Sequence, residues 1–219
     1  MASIRVNVPG LKKLKVVPYT TSEFTYDGKV KTPVWQDFDE TAYKISGETS
    51  ATTAGTHYMI LVPTGKWVWA DGTRKPKKIP FVIKKQPVNV PTVSDTTKTF
   101  NRFSQSPTIS TYDSNIINVT GNIETNAGDY VVTMSLKDTA NYQWSDGSIT
   151  NKTSNWSIAK AKITAIPVQN GTLTYNGSEQ QPSWSNYDSS QLTISGTVKG
   201  TNAGTYTATF TPTPNYEWE

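Results

Sequence analysis

The chain has 219 residues, room for one large domain or two to three small ones, and a formal net charge of +4. It has no cysteine and a single histidine, His57, which excludes disulfides, thiol nucleophiles and cysteine- or histidine-rich metal centres and leaves imidazole chemistry to one side chain. Hydrophobic residues make up only 35%, seven Trp, eleven Tyr and six Phe supply large anchors, and Thr, Ser and Asn fill the polar remainder, so the composition predicts an all-β protein.

In chain order, the first feature is an arm at residues 1–10, where Ile4, Val6 and Val8 alternate with Arg5 and Asn7 ahead of Pro9-Gly10. That alternation predicts an extra strand. Residues 1–17 hold Arg5, Lys12, Lys13 and Lys15 without an acid, and residues 18–85 add ten basic to seven acidic side chains. The remainder is net negative: five basic to six acidic over 86–161, and two to four over 162–219. A basic end on a near-neutral chain predicts docking on an acidic surface. A nucleic-acid binder would instead mix a basic stripe with exposed aromatics, so nucleic acid is not an expected partner. No apolar run approaches the roughly 20 residues that span a bilayer, so no membrane partner is expected. The first twenty residues also lack the continuous apolar core of a secretory signal, so the expected compartment of synthesis and assembly is the cytoplasm.

Three segments then share one punctuation. The first carries Phe24-Thr25-Tyr26-Asp27-Gly28, Pro33, Ile45-Ser46-Gly47, Ala54-Gly55 and Trp67-Val68-Trp69-Ala70-Asp71-Gly72. The second answers with Thr99-Phe100-Asn101, Pro107, Val119-Thr120-Gly121, Asn126-Ala127-Gly128 and Asn141-Tyr142-Gln143-Trp144-Ser145-Asp146-Gly147. The third gives Leu173-Thr174-Tyr175-Asn176-Gly177, Pro182, Ile194-Ser195-Gly196, Asn202-Ala203-Gly204 and Asn215-Tyr216-Glu217-Trp218. Equivalent tryptophans, 69, 144 and 218, fall 75 and 74 residues apart. A period of that length suits a small independent sandwich with a turn signal every 8–12 residues, so three sandwiches are expected at 11–86, 87–161 and 162–219. Trp69, Trp144 and Trp218 are the expected core anchors. Runs such as 130–136, 192–194 and 206–210 read as strands, and Asp71-Gly72 and Asp146-Gly147 as tight hairpin turns with positive φ. The short connectors at 84–87 and 160–162 predict a semi-rigid string.

The T-Y-D-G, A-G-x-Y and N-Y-x-W-x-D-G landmarks, with Trp156-Ser157-Ile158-Ala159-Lys160-Ala161 after them, resemble the immunoglobulin-like repeats of bacterial surface and phage virion proteins, similar to the MBG or YDG type. The resemblance covers nearly all of residues 14–219. The first copy departs from it, with His57 in place of Tyr130 and Tyr206, and Trp67 in place of Tyr142 and Tyr216. Such repeats carry no catalytic residues; the resemblance implies spacing, display and adhesion to carbohydrate or protein.

Each candidate for chemistry has a structural rival. His57 sits at an aromatic strand position without an orienting partner in the pattern, so a hydrogen-bonded structural role is expected over catalysis. Asp37, Asp39 and Glu40 lack the glycine-punctuated spacing of a calcium loop, and neither metal nor cofactor is expected. Trp35, Trp184 and Tyr187 are candidates to stack on a surface sugar, with core packing as the rival reading. Arg74, Lys75, Lys77 and Lys78 are candidates, with Ile4, Arg5, Val6, Val8, Lys12, Lys13 and Lys15, for gripping an acidic anchor surface.

The first two copies continue for about a strand beyond their landmark tryptophan, to Ile83 and Ile158. The third copy, at 162–219, is therefore expected to lack its last strand, either offering an open edge that invites strand addition between subunits or being a naturally shorter last domain. With no triad, carboxylate pair or phosphate loop emerging, the expected function is non-enzymatic: a bacteriophage decoration protein of capsid or tail, assembled on the virion in many copies. Capsid or tail proteins are the expected partners, with host-surface or glycan ligands for the distal copies. The alternative is a bacterial cell-surface adhesin or stalk fragment, which needs an export signal and an anchor.

Overall fold

The structure, a computed structural model, describes residues 10–219. The fold is all-β with several sheets, as the composition predicts, and its one helical element among the described residues is a 3-10 turn at Glu40–Ala42. The chain divides into two compact units, one of residues 1–89 and 136–149, the other of 90–135 and 150–219.

The first unit is built on a four-stranded sheet in the order Phe24–Thr25, Lys77–Lys84, Gly55–Pro63, Tyr43–Gly47. The outer pair Phe24↔Ile83 is parallel, while His57↔Phe81 and Ile45↔Leu61 are antiparallel. Along Lys77–Lys84 the sequence alternates, and Ile79, Phe81 and Ile83 are buried while Lys78, Pro80 and Val82 are exposed, as a sheet with one covered face requires. A core of Ala42, Tyr43, Met59, Leu61, Trp69 and Ile79 forms against that face. Two short parallel pairs, Lys12–Leu14 with Trp67–Trp69 and Gln86–Val88 with Tyr142–Trp144, complete the unit's main ladders.

The second unit repeats the same order. Thr97–Thr99 lies parallel to Lys152–Ala159, which runs antiparallel to Gly128–Leu136, and Ile117–Thr120 closes the sheet. Further along, Leu192–Gly196 pairs antiparallel with Ala208–Pro212, and Ala161–Ile163 lies parallel to Tyr216–Trp218. Ile163, Leu192 and Tyr216 form a smaller core there.

Three expectations are corrected in detail. Trp69 and Trp144 are buried, but Trp218 is half-buried, because the sheet beside it has two strands where the others have four. The strand expected at 206–210 begins only at Ala208. The Asp-Gly turns are three-residue loops with positive φ at the glycine alone: Trp69 N–H donates to Thr73 O at 2.8 Å and Trp144 N–H to Ser148 O at 2.8 Å, with Gly72 at φ 82 and Gly147 at φ 83. The Asp71 carboxylate accepts from the Thr73 N–H, which relieves the aspartate of any need for a left-handed φ.

Candidate functional site: a basic face, two junctions and an open strand slot

Ile4, Arg5, Val6 and Val8 lie outside the described residues. Of the remaining basic candidates, the structure gathers three about the Trp67–Trp69 strand. Main-chain pairing sets Lys12 beside Trp67, with its Nζ 5.3 Å from the ring centroid. Arg74 donates from Nε to Trp67 O at 3.0 Å and from Nη2 to Gly65 O. Lys77 places its Nζ 4.7 Å from the Trp69 ring. Lys13, Lys15, Lys75 and Lys78 are exposed, and Lys78 lies over Tyr58. The aromatic stems hold the cations in place, each contact contributing about 0.5–1 kcal/mol at an exposed site. The face can meet an acidic surface with ordered charges, although the Arg74 guanidinium is already committed to carbonyls.

The residues that join successive copies were not singled out from the sequence. At the first junction, Ala54 N–H donates to Asn141 Oδ1 at 2.8 Å, Gln86 N–H to Asn141 O at 2.9 Å, and Tyr142 meets Tyr26 edge to face at 5.3 Å. At the second, Ala127 N–H donates to Asn215 Oδ1 at 2.7 Å, Ala161 N–H to Asn215 O at 3.0 Å, and Tyr216 meets Phe100 edge to face at 5.3 Å. The Asn-Tyr pair of each later copy thus grips the Ala-Gly turn and the leading aromatic of the copy before it. The first copy has Lys66-Trp67 at that place, which was the available signal. Arg102 reinforces the second junction, donating to Tyr216 Oη at 2.8 Å and Ser190 Oγ at 2.8 Å. Lys85 reinforces the first through Thr139 O at 2.6 Å.

Replacing Asn215 by alanine removes the side-chain acceptor of the Ala127 amide. It is expected to cost about 1 kcal/mol, read as faster hydrogen exchange at Ala127 with exchange at Val132 unchanged; equal acceleration at both would place Asn215 in general stability instead. Acid should loosen the first junction. The Asn141 side-chain amide, donating to Asp138 at 2.7 Å, together with the amides of Asn141 and Ala140, holds the Asp138 carboxyl below its ordinary value. A depressed folded-state value means stability present above about pH 4 and lost as the pH falls through the lower folded-state value. Relative to the intrinsic base-catalysed rate, the protection of the Ala54 amide should fall on that acid side and stay flat between pH 5 and 8; loss of protection starting near neutrality would remove Asp138 from the account.

The third copy holds a groove of about 360 Å³, lined by Leu173, Tyr175, Trp184, Tyr206 and Ala208. Its position is that of the central strand in the two four-stranded sheets, Lys77–Lys84 and Lys152–Ala159. The segments that would flank such a strand are irregular: 173–174, equivalent to Phe24–Thr25, and 204–207, equivalent to the first residues of Gly55–Pro63. Leu173 is 48% exposed, Tyr175 63% and Tyr206 46%, whereas His57 at the Tyr206 position is 8% exposed. The Trp184 indole N–H is buried without a partner.

The sugar-stacking candidates each pack against a phenylalanine. Trp35 is half-buried and meets Phe81 edge to face at 6.1 Å; Trp184 and Tyr187 are half-buried against Phe210 at 5.0 and 5.5 Å. His57 faces Thr53 O from Nε2 at 2.8 Å and Glu48 from Nδ1 at 3.0 Å. Its Nε2 tie reproduces those of Tyr130 Oη to Asn126 O and Tyr206 Oη to Asn202 O, both 2.7 Å and both four residues back. Asp39 caps the 3-10 turn by accepting from the Thr41 N–H at 3.0 Å. Among the described residues no group of three His, Asp or Glu side chains is placed to hold a metal ion. No family model and no curated protein matches the chain.

Proposed function

We propose that the chain is a non-enzymatic structural protein, a tandem array of three immunoglobulin-like sandwiches that decorates a bacteriophage capsid or tail in many copies. The observation that carries this reading is the pair of junctions, in which the same Asn-Tyr grip fixes one copy on the next at Ala54 and again at Ala127. A spacing and display module needs such joints, whereas an enzyme has no use for the same joint twice. The side chains best suited to chemistry are engaged in structural ties: His57 to Thr53 and Glu48, Asp39 to a helix cap, Arg74 to carbonyls. The basic face on the first copy supports attachment to an acidic particle surface, steered by long-range attraction.

Gold-labelled antibody against the protein, applied to gradient-purified particles and to whole host cells, tests the reading. Label on particles, reduced by raising salt during attachment and by neutralising Lys12, Lys13 and Lys15, supports it. Label confined to the cell envelope moves the protein to the surface-adhesin reading, and label on neither overturns both.

A further inference from the structure

One turn occurs three times in the chain with three different chemistries. It follows the leading aromatic of each copy: Tyr26-Asp27-Gly28, Phe100-Asn101-Arg102 and Tyr175-Asn176-Gly177. In each, the side-chain Oδ1 accepts the N–H two residues on, that of Lys29, Phe103 or Ser178, all at 2.9 Å. The residue between has positive φ, at 77, 72 and 79°. This Asx turn folds the side chain back, and the ring closed by its hydrogen bond contains the nitrogen of the following peptide. Asp27, Asn101 and Asn176 are all exposed, the first two in copies with four-stranded sheets, so the exposure belongs to the turn itself.

The turn thus sets a carbonyl carbon beside a peptide nitrogen, and the residue types decide whether the two can react. At Asp27 the carbon is that of a carboxylate, a poor electrophile. Lys31 Nζ at 2.6 Å and the Lys29 N–H hold that carboxyl below its ordinary pKa and keep it ionised. At Asn101 the carbon is an amide, but the nitrogen is that of Arg102, screened by a side chain tied to Tyr216 and Ser190. At Asn176 the amide carbon is polarised by two donors on its oxygen, Ser178 N–H and Gln180 Nε2 at 3.2 Å. The nitrogen there is that of Gly177, which has no Cβ and open space where one would stand. The other Asn-Gly pair, Asn170-Gly171, has its side chain drawn across to a neighbouring segment: Oδ1 accepts from Ser185 Oγ, Nδ2 donates to Ser183 Oγ at 3.2 Å, and Asn170 N–H donates to Ser183 O at 2.9 Å.

We propose that Asn176 is a self-modification site, which converts to aspartate and isoaspartate on the folded protein. The Gly177 nitrogen, having lost its proton to solvent, attacks Asn176 Cγ. A carbon–nitrogen bond forms there, the bond to Nδ2 breaks, and ammonia leaves with protons taken from water. Water then opens the cyclic imide. Cleavage at the side-chain carbonyl gives aspartate, and cleavage at the main-chain carbonyl gives isoaspartate, whose main chain is longer by one carbon. Either product sets a negative charge near Gln180, at the place where the first copy has Lys31 to neutralise Asp27: Lys31 bridges Ala51 as Gln180 bridges Gly200. Isoaspartate also dismantles the turn that positions Tyr175, so the change adds charge and loosens the leading segment of the third copy.

The full chain, incubated at mildly alkaline pH with and without guanidinium chloride and then digested for peptide mass spectrometry, tests the proposal. In the folded chain Asn176 is expected to acquire the mass of the acid, in both linkages, at close to its rate in denaturant and faster as the pH rises. Asn170 should convert in denaturant but at least about tenfold more slowly in the folded chain, because its bonds must open first. Asn101 should be slow in both states. Gly177→Ala should slow conversion of Asn176 in both states, Arg102→Gly should bring Asn101 into reaction, and Asn176→Asp supplies the reference mass. An Asn176 that stays an amide in the folded chain while the denatured chain converts overturns the proposal. Equal rates at Asn170 and Asn176 in the folded chain also overturn it, since the turn would then contribute nothing.

Discussion

Replacing Trp144 by alanine is expected to destabilise the protein by about 3–5 kcal/mol, the range for truncating a fully buried aromatic. Trp144 is 0% exposed, and its strand is fixed on both sides of the indole. Gln86–Val88 pairs with it residue for residue, and the loop behind it is closed by Gly147 N–H to Trp144 O at 2.8 Å. Such a site cannot collapse far to fill the volume of a lost indole, which places the cost toward the upper part of the range. Urea unfolding followed by hydrogen exchange should show the paired strands Gln86–Val88 and Tyr142–Trp144 opening first. Trp69→Ala, at 1% exposure, should behave alike in the first copy, and Trp218→Ala should cost clearly less because that indole is half solvated. A loss below about 1 kcal/mol for Trp144 would mean that the indole anchors nothing.

The gradation among the three tryptophans marks how far the sequence could be read. Their spacing, and that of the prolines and glycines, needs only local pattern, and the structure keeps it: the same parallel pair forms at Trp67–Trp69, Tyr142–Trp144 and Tyr216–Trp218. Less legible were effects that depend on a partner distant in sequence. Tyr206 continues an alternating run that reads as strand, yet 205–207 lie outside any strand, because the sheet that Ala208–Pro212 enters has only Leu192–Gly196 beside it among the described residues. Asn141 and Asn215 read as turn residues, the usual role of Asn before a strand, and their grip on Ala54 and Ala127 spans 87 and 88 residues. Trp35 and Trp184 follow a proline turn, where the sequence leaves both sugar stacking and core packing open; their packing partners, Phe81 and Phe210, are visible only in the fold.

The second large effect is expected from the smallest landmark. Gly47, Gly121 and Gly196 close the Ile-Ser-Gly or Val-Thr-Gly signature of each copy, and all three have positive φ, at 78, 71 and 88°. A methyl group on Gly121 would lie 2.2 Å from the Val131 carbonyl oxygen across the sheet, and the corresponding approaches are 2.5 Å at Gly47 and 2.4 Å at Gly196. Those atoms are backbone, so relief requires moving a strand. Gly121 O also accepts the Trp156 indole N–H at 2.9 Å, and any shift of Gly121 pulls on a second buried anchor. Gly121→Ala is therefore expected to cost about 3 kcal/mol or more, combining the left-handed penalty with the displaced ladder. Two companions separate the causes. Gly147→Ala has φ 83 but open space around its added carbon, so it should cost only the conformational share, about 1–2 kcal/mol. Gly121→Asn relieves much of the φ penalty but keeps the collision, and it should remain nearly as destabilised as the alanine variant in urea melts. Equal losses for Gly121→Ala and Gly147→Ala would show that the close approach of the two strands contributes nothing.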